Sequence, residues 1–297
     1  MMLDPAQLAA LAAVHRRGSF DFAAAALGVT PSAISQRIKA LEEVTGTLLV
    51  RRGQPCTATA TGLRLIRHHD EVALLESSLL ADLPGLNTGP ATLRIAVNSD
   101  SLATWVIPAL AATEGLLFDL VIDEEEGSQE WLKRGEVIAA ITSHAGPLQG
   151  CDTMPLGSLR FRATASPAFM QRWFPDGPTA EALARAPAIT FSDKDRLQER
   201  WIMRHTGTSA RRVIFPSHRI ASSQAFLDAG LNGLGWSMNP DILAAPHLAA
   251  GTLVELFPDT PLDVALHWQF TRLAAPALAP VTDAIRRSAR ALLVQPP

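Results

Sequence analysis

The chain is short of the residues from which most small sites are built. Only two cysteines occur, Cys56 and Cys151, far apart in the sequence. Two distant thiols give neither a disulfide framework nor a metal-ligand spacing, and read as ordinary thiols of a reducing cytosol. No apolar run reaches the ~18 residues of a membrane-spanning helix. The opening segment, MMLDPAQLAALAAV, contains Asp4 and lacks a basic leader, so it does not read as a signal peptide. GxSxG, HExxH, a glycine-rich phosphate loop and paired metal ligands are also missing, which leaves no enzyme motif to build on. No internal repeat or low-complexity segment stands out.

What is present is an ordinary globular composition. The 297 residues are 47% hydrophobic and 19% charged, enough for two domains and a sizeable core. The net charge of -3 is unevenly spread. Residues 1–68 hold Arg16, Arg17, Arg37, Lys39, Arg51, Arg52, Arg64 and Arg67 against Asp4, Asp21, Glu42 and Glu43, a balance of +4 that leaves -7 for the remainder. A basic head on an acidic body suits a small DNA-contacting module joined to something else.

Local signals divide the chain into a winged helix-turn-helix over residues 1–60, a linker helix and hinge over 61–90, and an α/β effector-binding domain of two lobes over 91–297. Asp4-Pro5 opens a first helix, with Leu8, Leu11, Ala12 and His15 on one face and Gly18 as its stop. An alanine-rich helix spans 20–27, Gly28 breaks it, and Thr30-Pro31 opens a third that ends at Gly46. Residues 48–59 read as a two-stranded wing turning at Gly53 and Pro55. In the long helix that follows, Leu65, His68, Val72, Leu75 and Leu79 recur at spacings of three and four. That seam is either a dimer contact or a face packed on its own domain. Beyond the Pro/Gly-rich stretch at 84–90, strands are expected at 93–97, 117–122, 137–142, 159–165, 188–191, 212–215, 235–238 and 264–270. Helices are expected at 101–112, 128–134, 167–173, 196–205, 222–231 and 280–294. Their alternation implies parallel sheets.

The residues GSFDFAAAALGVTPSAISQRIKALEEVTGTLLVRR carry the strongest signal. Ala23 to Ala26 let two helices approach, and Gly28 permits the turn between them. The second helix exposes Ser32, Ser35, Gln36 and Lys39, with Arg37 beside them and Thr30 at its start. Its other face, Ala33, Ile34, Ile38 and Leu41, is apolar. A helix of this kind fits a DNA major groove, where Gln and Arg read base edges. Arg51 and Arg52 suit phosphate or minor-groove contact. A small helical bundle with a solvated face is the plainer reading of the same residues.

This segment, followed by Thr59-Ala60-Thr61-Gly62, resembles the head of the LysR-type transcriptional regulators, and the resemblance continues more loosely to the C-terminus. Val50 departs from the family pattern, which has Phe before the wing arginine. AVNSDSLATWVIPAL (96–110), RGEVIAAI (134–141) and SSQAFLDAGLNG (222–233) resemble the branch that regulates lysine and arginine export. The resemblance implies a homodimer or homotetramer on double-stranded operator DNA, working with RNA polymerase in the cytoplasm and away from any membrane. It also implies activation by a co-inducer such as lysine or arginine, no other cofactor, and an amino-acid exporter as the target.

The residues themselves suggest where such a co-inducer would sit, since ligands of open α/β domains lie at strand C-termini. Asn98, Ser99, Asp100 and Ser101 follow the first strand and open a helix. With Thr104 they suit an α-carboxylate, and Asp100 suits an α-ammonium; N-capping explains the same serines. A cationic side chain needs carboxylates, and Asp123, Glu124 and Glu125 follow the second strand, although an acidic run is often a solvated loop. Asp193, with Asp195, is a further acidic candidate. Thr142 ends another strand beside His144, and Ser222 and Ser223 open a second-lobe helix that could close on the ligand. Trp131, Trp236 and Trp268 read as core, and His68-His69-Asp70 as a solvated face of the linker helix. An enzyme and a solute-binding protein are the rival classes; the missing motifs oppose the first, and the basic head opposes the second.

Overall fold

The computed structural model describes residues 3–81, 83, 90–123, 128–146, 148–206 and 214–296. Its head is built from α1 (Pro5–Arg17), α2 (Phe20–Leu27) and α3 (Pro31–Thr45). Side-chain oxygens of Asp4, Ser19 and Thr30 accept the orphan N–H groups of Ala6, Asp21 and Ala33. The helices stop at Gly18, Gly28 and Gly46, all with φ between 63° and 68°, a left-handed conformation that residues with a Cβ resist. Leu11, Val14, Ala23, Ala24, Ile34, Ile38 and Leu41 form the small core. Of the four alanines expected at the helix contact, Ala25 and Ala26 are exposed; the close approach rests on the other two.

The wing is the antiparallel pair β1 (Val50–Arg51) and β2 (Thr57–Ala58). The long helix α4 (Ala60–Ala81) crosses it so closely that a Cβ on Gly62 would stand 2.4 Å from the Leu49 carbonyl oxygen. Ile66 and Leu74 of α4 are buried, Leu65, Val72 and Leu75 half-buried, and His68 and Leu79 exposed. The solvated-face reading of 68–70 needs correction. Asp70 is half-buried and binds Arg16 of α1 at 2.5 Å. His69 is also half-buried, and burial lowers its pKa.

The remaining strands are β3 (Ala91–Asn98), β4 (Leu116–Asp123), β5 (Ala139–Thr142), β6 (Cys151–Ala165), β7 (Ala188–Thr190), β8 (Ser217–Arg219), β9 (Ser237–Pro240), β10 (Val254–Glu255) and β11 (Leu262–Thr271). In the large sheet the order is β10-β6-β11-β5-β3-β4, with β9 also on β6. β3 lies parallel between β4 and β5, and β7 pairs in parallel with β8. The expectation of purely parallel sheets fails at β6 and β11, which pair antiparallel along most of their length. These two strands serve both lobes. The start of β6 and the end of β11 lie by β5, whereas the end of β6 pairs with β9 and β10.

Of β6, only residues 159–165 were expected as strand. Gly157 adopts φ +115°, where a Cβ would meet the Val294 carbonyl oxygen at 2.8 Å, and the β11 register shifts nearby between Leu266 and His267. The strand expected at 212–215 is not found: residues 212 and 213 lie outside the described residues, Ile214 is not in a strand, and β8 begins at Ser217. The helix Asp241–Ala249 was not expected; Pro246 inside it masked the helical pattern.

Candidate DNA interface and effector cleft

α3 lies on the surface of the head. Ile34, Ile38 and Leu41 are buried and Ala33 half-buried, which turns the other face outward. Ser32, Gln36 and Lys39 are exposed; Ser35 and Arg37 are half-buried. Lys39 stands 3.7 Å from Glu43, an exposed pair one helical turn apart that holds it only weakly. Thr30 caps the helix. Arg51 and Arg52 are exposed on the wing, and the Arg52 guanidinium rests over Phe20, 5.3 Å from the ring centroid. The chain therefore presents one polar ridge and two wing cations without folding its own side chains over them.

The cleft is assembled from separate segments. β3 and β4 are in register so that Asn98 stands opposite Asp123. This brings Asn98, Ser99 and Asp100 to one wall beside Asp123. The other wall comes from Phe191 to Arg200, Ser223, Phe226 and Met238. The cavity has a volume of ≈ 70 Å³.

Each wall residue has a distinct environment. Asn98 is buried; its Oδ1 accepts the Ser101 N–H at 2.7 Å, and its Nδ2 finds no acceptor among the described residues. The Ser99 and Ser223 hydroxyls meet at 2.9 Å and join the two lobes. Asp100 reaches solvent at the cleft mouth, yet its pKa rises to about 6. Crowding by protein atoms disfavours its charge; a Ser223 hydrogen bond opposes this, and the charge of Asp195 adds to it. Asp195 is itself committed to the loop, accepting the N–H groups of Phe191 and Leu197.

Several expected residues do not line this cavity. Ser101 is buried behind Asn98, and the Thr104 hydroxyl donates to the Asp100 carbonyl at 2.6 Å. Thr142 is buried, its hydroxyl oxygen accepting the His144 N–H. Asp193 is exposed, and the lining acid is Asp195. Ser222 is the exposed cap of the helix Ser223–Leu231, and the hydroxyl that lines the cleft is one residue later. Glu124 and Glu125 lie outside the described residues. Sequence reasoning missed Lys194, Arg196 and Arg200. The spacing of Arg196 and Arg200 by four at the start of a helix was the available signal. Trp236 and Trp268 are core, but Trp131 is only half-buried, and its indole binds Asp123.

A winged helix-turn-helix joined to a two-lobed domain with a polar cleft defines the class of ligand-responsive DNA-binding regulators. The family model described as "Bacterial regulatory helix-turn-helix protein, lysR family" matches residues 5–63, and "LysR substrate binding domain" matches residues 87–290. The chain belongs to the LysR family of transcriptional regulators. It is 42% identical to the HTH-type transcriptional regulator LysG of Mycobacterium tuberculosis (strain ATCC 25618 / H37Rv) over 291 residues, 98% of this chain and 95% of that protein. The crystal structure of ArgP from Mycobacterium tuberculosis matches with a TM-score of 0.84 at 40% identity, covering 100% of both chains. Full-length LysG from Corynebacterium glutamicum with bound effector Arg matches with a TM-score of 0.72 at 34% identity, covering 99% of this chain and 100% of that one.

Proposed function

We propose that the cleft takes a basic amino acid, arginine or lysine, and that its occupancy sets transcription of an amino-acid exporter gene. The observation that carries this reading is the pairing of Asp100 and Asp123 on one wall with Arg196 and Arg200 on the other, around one cavity. A zwitterion with a cationic tail satisfies both walls. Asp123 faces the tail, Asp100 the α-ammonium, and Asn98 Nδ2, Ser99 and the arginines the α-carboxylate. The solved LysG of Corynebacterium glutamicum carries bound effector Arg, which supports a basic amino acid as the effector.

In this reading α3 enters the major groove with Ser32, Ser35, Gln36, Arg37 and Lys39 towards the bases, while Arg51 and Arg52 hold phosphates. Two copies pair through the half-exposed α4 seam, Leu65, Val72 and Leu75 with His68 and Leu79, as a dimer or a pair of dimers. The bound protein works in the cytoplasm beside RNA polymerase as an activator. Calorimetry with arginine, lysine, a neutral amino acid and a dicarboxylate tests the effector. Heat with the basic amino acids alone is the expected result. Heat with the dicarboxylate alone would select an organic-anion effector, the alternative that Lys194, Arg196 and Arg200 favour. A gel shift on the upstream region of the gene should weaken steeply with salt; salt-independent binding would contradict the phosphate contacts.

A further inference from the structure

Arg52 follows the first wing strand, β1, and its long side chain is exposed. Such a side chain loses rotamer freedom when DNA fixes it, which lowers affinity unless the freedom is already gone. The head restricts it beforehand. The wing is fastened to the corner between α1 and α2: the Cys56 N–H donates to the Gly18 carbonyl at 2.8 Å, and a Cβ on Gly18 would stand 2.7 Å from Pro55 Cβ. At the base of the wing, the Leu49 N–H donates to the Glu42 carboxylate at 2.8 Å. Phe20 opens α2 at the same corner and packs half-buried against the core of the head. Its ring centroid lies 5.3 Å from the Arg52 guanidinium, within the ~6 Å reach of a cation–π contact.

The type of holder matters. A carboxylate would fix the cation but compete with phosphate for it; Asp70 holds Arg16 in that way. An aromatic ring carries no net charge and engages the face of the guanidinium, whose N–H donors lie in its plane. The contact therefore restricts the side chain without using its charge or its donors. We propose that Phe20 is a positioning residue of the DNA interface, whose ring pre-orders the Arg52 guanidinium for a DNA phosphate. The proposal rests on the reading of Arg52 as a phosphate contact and adds the residue that sets its geometry.

Gel shifts of the full-length protein on the duplex upstream of its gene, at several KCl concentrations, test this. Phe20→Leu keeps an apolar side chain and removes the π face. It should weaken binding about two- to fivefold, the worth of an exposed cation–π contact. The slope of log K against log salt should not change, because the same number of phosphates is met. Phe20→Tyr restores the face and should restore affinity. In an Arg52→Ala background Phe20→Leu should change nothing further, whereas beside Arg51→Ala, on the same wing, its effect should persist. An equal loss in the Arg52→Ala background, wild-type affinity for Phe20→Leu, or failure of Phe20→Tyr to rescue would each overturn the proposal. Arg52→Ala with wild-type affinity and slope would instead take Arg52 off the phosphates and remove the reading on which the proposal rests.

Discussion

The head and the cleft recognise their partners in opposite ways. The head carries most of its polar contact residues on one helix, where Ser32, Gln36 and Lys39 stand exposed over an apolar underside. The cleft draws on the ends of β3 and β4, the segment around Arg196, and a helix start more than 120 residues from Ser99 in sequence. One site is a surface that exists once α3 is folded; the other exists only when two lobes meet. Loss of one contact should therefore act locally in the head but disturb a shared charge balance in the cleft.

Four experiments break or sharpen this contrast. The largest effect is expected for Asp123→Asn, because arginine would lose the carboxylate that faces its side chain. Affinity should fall at least about 30-fold, given that losing one partner of a desolvated charge pair costs ~2 kcal/mol or more. A change under about threefold by calorimetry would move the cationic tail elsewhere. Next comes Arg37→Ala, expected to cost operator affinity ~1–3 kcal/mol if the residue reads a base while arginine heats stay as they are. Unchanged affinity in a gel shift would mean that this guanidinium faces away from DNA, and altered arginine heats would mean that the two sites are not separable.

A smaller effect follows from Asp100, whose pKa is raised to about 6 by crowding in the cleft. The folded protein holds this proton more tightly than the unfolded chain. The stabilising effect of that proton is therefore present at low pH and lost as pH rises through about 6. A ligand ammonium needs the ionised form, so arginine binding should be about tenfold weaker at about pH 5 than at about pH 7.5. Asp100→Asn should flatten that difference; a flat wild-type profile would remove Asp100 from the ligand contacts. The smallest change is expected from Arg51→Ala, which should lower the slope of log K against log salt by about 0.9. An unchanged slope would take that wing residue off the phosphates.

How much the sequence revealed follows the same division. The head's helices were readable because each is bounded by neighbours in sequence: Asp4, Ser19 or Thr30 at the start and a left-handed glycine at the end. In the cleft, Asn98, Ser99 and Asp100 were readable as a strand end running into a helix start, and Asp123 as the end of the next strand. Ser222 and Ser223 were both readable as a second-lobe helix start; the Ser222 hydroxyl turns back to the Ala225 N–H, and it is Ser223 that faces the other lobe. Lys194, Arg196 and Arg200 were hidden because nothing in their own segment shows which acids stand across from them. The antiparallel pairing of β6 with β11 joins residues about 100 positions apart, which no local pattern encodes. Trp131 looked like core because an indole in an apolar neighbourhood usually is; only the coordinates show where its N–H goes.

The helix Ser128–Arg134 has a second attachment. Just past its end, the Glu136 N–H donates to the Trp131 carbonyl at 3.0 Å, and the Glu136 carboxylate faces His15 of α1 at 3.8 Å. His15 in turn accepts the Ala58 N–H of the wing through Nδ1. Seven residues of helix span only about 10 Å, so one short element ties the residue that holds Asp123 to the carboxylate that meets His15 of the head.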